Sequence, residues 1–520
     1  MIPFDASGAF HPGNGGHELR RLAVRGAAAT LSASALALGA QVISTVILAR
    51  LLTPADFGVV TMVTTFSLLL ANFGLNGFMD AVIQFEEMDE RTAGNLFWLN
   101  AGAGLLLAIA FAAAGSLLAR FYGDPLVANV AAGLSVGIFI AALSAIHQAL
   151  LKRAMRFAGT SANDVIARAI NTAVSILLAL RGWGYWALVA GIIGQQLSVT
   201  IGAWWLCRWV PSLPKRTGNT GAAVRFAAKV YARFCLGYST QNVDNLLVGW
   251  RFNAVALGFY KKAYDLFSLS GSQLIAPLHN VALASLSKLN RDPIRFKRYL
   301  ANSLGIIAFI GMAMSADLTL VGRDVVRLVL GPKWLESGRI FELFGPGIGV
   351  MLLCGAVGWI HLSLGTPGRW FRWSLVELGL TVSLFLAALP WGPEGIAGAW
   401  SVSYWILLIP GFWYAGRPIG FGVSALVAAI WRSTAAALVA ALAAAAIIRG
   451  TPFWYTPSST SSALWAIIVI STVFGTLYLG TTIVLHWGLA PLRQLASLLR
   501  ELTPARKNMI PTAEVVGAYK

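Results

Sequence analysis

The chain predicts an all-α polytopic membrane protein, and three observations point to it. Hydrophobic residues make up 57% of its 520 positions and charged residues only 12%, about half the charged fraction of a soluble domain. The mean hydropathy is +0.70, and the apolar excess runs along the whole length instead of marking one anchor. Apolar stretches of roughly 20 residues, the length a helix needs to cross a bilayer, recur about fourteen times between short polar loops.

In order, the expected spans are Gly26–Arg50, Phe57–Gln84, Gly94–Arg120, Leu126–Leu151, Ala162–Leu180, Gly184–Trp209 and Val224–Trp250. Then come Leu257–Ser287, Tyr299–Val321, Gly338–Leu364, Gly368–Pro390, Glu394–Arg417, Ser424–Ile448 and Ser462–Trp487. Glycine and proline inside them are no objection, because membrane helices tolerate both. The fifth, seventh and eighth spans hold the most polar residues. The first 18 residues are polar, Gly-rich and without an apolar h-region, so the first helix is expected to act as its own insertion signal.

The net charge of +18 comes from basic residues scattered through short loops and helix ends. Nucleic acid is therefore not an expected partner. The positive-inside rule explains most of the excess, and attraction to anionic headgroups or an anionic substrate adds a functional component. Placing the N-terminus in the cytoplasm brings inside Arg20, Arg21, Arg25, Lys152, Arg153, Arg156, Lys215, Arg216 and the cluster from Lys288 to Arg298. An even number of spans puts both termini inside. The loop from Arg323 to Arg339 is the basic exception on the other side.

Two stretches repeat. "ILARLLTPADFGVVTMVTTF" joins the first two spans, and "LVGWRFNAVALGFYKKAYDLF" joins the seventh and eighth. Each has an apolar helix end, an arginine (Arg50, Arg251), a bend, and an apolar residue followed by glycine (Phe57-Gly58, Leu257-Gly258). A parallel repeat predicts two six-helix lobes with a site between them. The expected division is a tail at 1–24, lobes at 25–210 and 211–418, two further helices at 419–488, and a cytoplasmic tail at 489–520 with an amphipathic segment, Leu492–Leu502.

Other motifs narrow the function. "ILARLLTPADFG", "AVIQ" at Ala81–Gln84, "LFWLN" at Leu96–Asn100, "RFYGDP" at Arg120–Pro125 and "GWGYWALV" at Gly182–Val189 resemble the signature of Wzx-type polysaccharide flippases. "DNLLVGW", "LGFYKKAYDL" and "LSKLNRDP" fit in the second half, so the resemblance covers about residues 20–300. That family lies in the multidrug/oligosaccharidyl-lipid/polysaccharide transporter superfamily. The resemblance implies two six-helix lobes around a central cavity, with two C-terminal helices, in the bacterial inner membrane. It implies a substrate, an undecaprenyl-pyrophosphate-linked oligosaccharide repeat unit, moved from the cytoplasmic to the periplasmic leaflet by alternating access for exopolysaccharide, capsule or O-antigen synthesis. Its implied partners are membrane lipids, a polysaccharide polymerase and export machinery. Family members usually carry Arg where this chain has Lys262. The first-helix arginines of the more distant lipid II flippases have no counterpart in "AQVISTVILA".

The candidate site residues lie mainly between Phe234 and Phe267. Asp244 is nine residues before Asn253 and Lys262 nine after it, so in an antiparallel pair both sit ~13 Å from the bend. Ionisable groups at such depth pair with one another or face a wet cavity. Lys262, with Lys261 beside it, is expected to attract the pyrophosphate as a point charge, with Asp244 holding the lysine when the site is empty. A structural ion pair that fixes helix packing is the competing reading. Asp265 is the other carboxylate available for pairing or coupling. Arg233, deep in the seventh span, can draw in the headgroup or simply snorkel. Gln41 can bond sugar hydroxyls or another helix.

Asp164 and Arg168 read as a stabilising i,i+4 pair. Glu377 and Arg432 have no obvious partner, and His147, His279 and His361 read as helix contacts. Cys207, Cys235 and Cys354 lack metal-ligand spacing, so neither a disulfide nor a metal is expected. No phosphate-binding loop motif is present, and no cofactor or catalytic residue is expected. A drug or cation antiporter, or a membrane glycosyltransferase or polymerase, are the alternatives. The enzymes would need catalytic carboxylates or a sizeable outer loop, which "LLTPAD" does not supply.

The charge pattern makes the topology testable with single cysteines in a cysteine-free background. An impermeant thiol reagent on whole cells should label cysteines placed between Arg323 and Arg339 and spare those in the 152–156 and 288–298 loops. The reverse pattern would invert the orientation.

Overall fold

The computed structural model describes residues 3–5, 7–10, 19–85, 88–214, 220–450 and 460–488. Lys215, Arg216 and the 489–520 tail, with its amphipathic segment, lie outside the described residues, as does the His279 side chain. The described chain is built of helices. They are α1 (Leu19–Leu51), α2 (Pro54–Ala71), α3 (Met79–Gln84), α4 (Glu90–Tyr122), α5 (Leu126–Arg153), α6 (Phe157–Leu180), α7 (Tyr185–Cys207) and α8 (Thr220–Arg251). The second half continues with α9 (Ala254–Lys288), α10 (Pro293–Leu330), α11 (Leu335–Ser363), α12 (Pro367–Ala388), α13 (Gly392–Gly416), α14 (Val423–Gly450) and α15 (Thr460–His486).

Eleven helical stretches among the described residues are long and apolar enough to cross a membrane, α12 and α13 falling in one continuous run. The helices α8 and α9 are not among the eleven; they hold the polar groups singled out above. The span expected at Phe57–Gln84 is broken by a π-helical turn at Gly74–Phe78, where Asn76 leaves helical geometry with φ −106° and ψ 22°. Gly74 and Gly77 permit this local widening, and π-turns of this kind often sit at functional positions.

Short capped turns make sequential helices antiparallel. Thr53 and Asp56 form a reciprocal capping box at the start of α2, with Pro54 in its first turn. Asn253 caps α9 by accepting from the Ala256 amide at 2.8 Å. These caps satisfy backbone donors that lipid cannot, and they fall at matching places in the two repeated stretches.

Packing repeats as well. In the first half α1 packs on α6, α2 on α5 and α7, α4 on α5, α5 on α7, and α6 on α7. The second half reproduces each contact: α8 on α12, α9 on α11 and α13, α10 on α11, α11 on α13, and α12 on α13. Helices α14 and α15 pack on α10 outside this scheme.

The halves meet where α2 crosses α9, just past the two caps, and along α8, which packs on α2, α3 and α4. A Cβ on Gly58 would overlap the Ala254 carbonyl oxygen, and one on Gly258 would overlap the Pro54 carbonyl oxygen. No side chain larger than hydrogen fits at either position, so the two helix starts touch backbone to backbone. Trp334, fully buried after α10, closes over this crossing. It packs edge-on against Phe57, with ring centroids 5.5 Å apart, and its Nε1 donates to the Ala49 carbonyl at 2.8 Å. Further along α2, Tyr231 of α8 donates to the Leu69 carbonyl at 2.8 Å and packs against Phe73 at 4.9 Å.

Candidate functional site

A cavity of about 340 Å³ lies below the crossing, walled by α1, α2, α6, α7 and α9. Its polar lining follows helical spacing. Gln41, Ser44 and Thr45 come from α1, Thr61 and Thr64 from α2, Arg168, Asn171, Thr172 and Ser175 from α6, and Gln195 and Gln196 from α7. Residues at i, i+3, i+4 and i+7 share a face, so each helix turns a polar stripe inward. Asn171 ties two of these stripes together: its Nδ2 donates to Gln195 Oε1 at 2.6 Å, and its Oδ1 accepts from Ser175 Oγ at 3.1 Å.

The charges come from α9. Lys261, Lys262 and Asp265 all line the cavity. Lys261 Nζ lies 2.9 Å from Asp265 Oδ1 and Lys262 Nζ 3.5 Å from Asp265 Oδ2, so one carboxylate serves both lysines. Lys262 is only 7% exposed, and its ammonium sits 3.9 Å from the centroid of the Phe57 ring. This cation–π contact compensates part of the lost hydration and seats the lysine against the aromatic group that packs under Trp334.

The expected Asp244–Lys262 pair does not form. Asp244 is fully buried, and its Oδ2 accepts from Tyr260 Oη at 2.8 Å and Trp400 Nε1 at 3.0 Å. Its Oδ1 accepts from the Asn245 amide at 2.8 Å. Equal distance from the bend sets equal depth but leaves the azimuth open. Tyr260 and Lys262 are two residues apart on α9, so they face nearly opposite sides of the helix. Asp244 thus joins α8 to α9 and α13, and Asp265 is the lysines' partner.

Gln41, Lys261, Lys262 and Asp265 therefore line one cavity. Arg233 does not join them. It lines a second cavity of about 280 Å³ between α8 and α12, with Gln241 and Glu377, and its guanidinium lies 5.2 Å from the Trp370 ring centroid. Gln241 is as far before the Asn253 cap as Gln41 is before Thr53, so the two cavities occupy corresponding clefts of the repeat. Glu377 has a partner after all, accepting from Trp373 Nε1. His147 stacks on Trp204 with its Nε2 3.2 Å from the Trp209 carbonyl oxygen, and His361 Nδ1 is 3.2 Å from Thr366 Oγ1.

Arg168 is a cavity residue that its sequence context does not single out. Among the described residues it forms no ion pair with Asp164. The signal that marks it is the Arg168, Asn171, Thr172, Ser175 stripe, whose polar face is too regular for a lipid-facing helix.

Repeated helix packing, with a polar, cationic cavity walled by four helices of the first half and by α9, defines the chain as a polytopic helical membrane protein. It superimposes on the lipid II flippase MurJ in its inward closed conformation with a TM-score of 0.69 and 14% identity, covering 88% of this chain and 98% of that one. An inward-facing multidrug resistance MATE family transporter of the MOP superfamily gives 0.59 and 13%, covering 74% and 94%. The chain belongs to the polysaccharide biosynthesis protein family, whose profile matches residues 47–339. It is 22% identical over 341 residues to the succinoglycan biosynthesis transport protein ExoT of Rhizobium meliloti (strain 1021), covering 65% of this chain and 69% of that one. Over 405 residues it is 21% identical to the lipopolysaccharide biosynthesis protein WzxC of Escherichia coli (strain K12), covering 75% and 79%.

The shared carboxylate generates a stability prediction. Asp265→Asn leaves two lysines unneutralised and should destabilise the purified protein by on the order of 1 kcal/mol, a modest figure because partly exposed pairs are screened. Adding Lys261→Ala should recover part of the melting temperature. Combining Asp244→Asn with Lys262→Ala should give additive losses and no such recovery.

Proposed function

We propose that this protein moves an undecaprenyl-pyrophosphate-linked oligosaccharide from the cytoplasmic to the periplasmic leaflet of the bacterial inner membrane. The product serves exopolysaccharide, capsule or O-antigen assembly, where a polysaccharide polymerase and export machinery take it up. The observation that carries this reading is the cavity, where paired lysines stand beside a wall of amide and hydroxyl groups. The lysines suit a pyrophosphate, and the amides and hydroxyls suit sugar hydroxyls. The fold and the family agree with a transport role.

In this reading residues 25–210 and 211–418 act as two lobes that close on each other at the α2–α9 crossing, which lies at the periplasmic end, and both termini are cytoplasmic. Substrate enters the cavity from the cytoplasmic side, where its headgroup is held by Lys262 and Lys261. Separation of α2 from α9 then releases it outward. The chain itself breaks and forms no covalent bond.

Deletion of the gene should abolish surface polysaccharide while lipid-linked repeat units are still made and accumulate on the cytoplasmic side. Lys262→Ala should fail to restore export at normal membrane abundance, and Lys262→Arg should restore most of it. Failure to make repeat units at all would identify an enzyme instead. Intact export with altered drug sensitivity would identify an antiporter.

A further inference from the structure

Arg168 is the third cation that lines the cavity. It lies on α6, a helix of the first half, whereas Lys261 and Lys262 lie on α9 in the second. Twelve residues separate Arg168 from the end of α6 at Leu180, a depth of ~18 Å against ~13 Å for Lys262. The three cations thus line the same cavity within about one helical turn of depth, from helices of the two halves.

Charge decides what they suit. With Lys261, Lys262 and Arg168 set against the single carboxylate of Asp265, the charged lining is doubly positive. Asp265 already occupies the lysines, and Arg168 is in no ion pair among the described residues. A pyrophosphate diester carries one negative charge on each phosphate, which matches that balance. Arginine also offers a planar fork that binds two oxygens of one phosphate, which lysine cannot.

We propose that Arg168 is the second arm of a pyrophosphate clamp, its guanidinium holding one phosphate while the lysines of α9 hold the other. This rests on the reading of the cavity given above and deepens it. The clamp spans the two halves, so a bound pyrophosphate ties α6 to α9. A ligand with a single phosphate engages only one arm.

The test is binding of undecaprenyl pyrophosphate and undecaprenyl phosphate to the purified full-length protein in detergent, followed by tryptophan fluorescence. Arg168→Gln should weaken undecaprenyl pyrophosphate binding about tenfold or more, the usual scale for losing a charged hydrogen bond. It should change undecaprenyl phosphate binding much less. Arg168→Lys should fall between wild type and Arg168→Gln, and serves as the informative variant if Arg168→Gln fails to fold. Asp164→Asn should leave both affinities unchanged.

If Arg168→Gln binds both lipids like wild type, the clamp is overturned. It is equally overturned if Arg168→Gln keeps wild-type affinity for undecaprenyl pyrophosphate but abolishes competition by free glucuronate, which would assign the fork to an acidic sugar. If Lys262→Ala weakens undecaprenyl pyrophosphate binding and Arg168→Gln does not, only the clamp fails. If neither substitution matters, or wild type does not bind the lipid, the reading of the cavity fails with it.

Discussion

The contact on which the rest depends is the backbone crossing of α2 and α9. Two helix starts, each preceded by a side-chain cap, approach so closely that Gly58 and Gly258 each face the other helix's first carbonyl group. A methyl group at either position has to push two capped helix ends apart, and overpacking of this kind costs ~1–3 kcal/mol. The caps make the crossing possible, because a helix end without satisfied donors could not sit between two apolar bundles. Trp334 and Phe57 then fill the space above the cavity and connect the α10–α11 turn to the end of α1.

The position of the crossing sets the position of the charges. Lys262 follows Gly258 by one helical turn, so the close approach that presses Gly258 on Pro54 also brings the lysine over the face of Phe57. One carboxylate, Asp265, faces two lysines, so the lining around Lys262 carries more basic than acidic groups. The cavity therefore stays cationic while the helices around it remain packed. Asp244 acts on the far side of the helix pair. There its carboxylate accepts from the Trp400 indole and the Tyr260 phenol, which holds α13 and α9 against α8.

Much of the fold was legible in the sequence because the bilayer demands it. Long apolar runs had to be helices, and the repeated bend motif marked the two halves, with Thr53 and Asn253 capping at corresponding places. The break between α2 and α3 was not legible as a π-turn, since Gly74 and Gly77 are equally compatible with a continuous membrane helix. Polarity at depth singles out Lys261, Lys262, Asp265 and Gln41, which line one cavity. Depth alone could not pair Asp244 correctly, because facing direction is set by the helical azimuth. Arg168 is hidden in the sequence because its i,i+4 relation to Asp164 offers a local explanation for a charge that points elsewhere. Arg233 is deep and basic as expected, but its helix turns it toward α12 and a separate cleft.

If the glycine crossing closes the cavity toward the periplasm, then its closure must fail when a side chain is added. The direct measurement is the labelling of a cysteine at Thr64→Cys, on the cavity wall, by an impermeant maleimide applied to the outside of cells in an otherwise cysteine-free protein. With Gly58 intact the cysteine should be protected, and with Gly58→Ala it should be labelled at unchanged membrane abundance. Equal labelling with glycine and alanine would contradict a crossing that governs access.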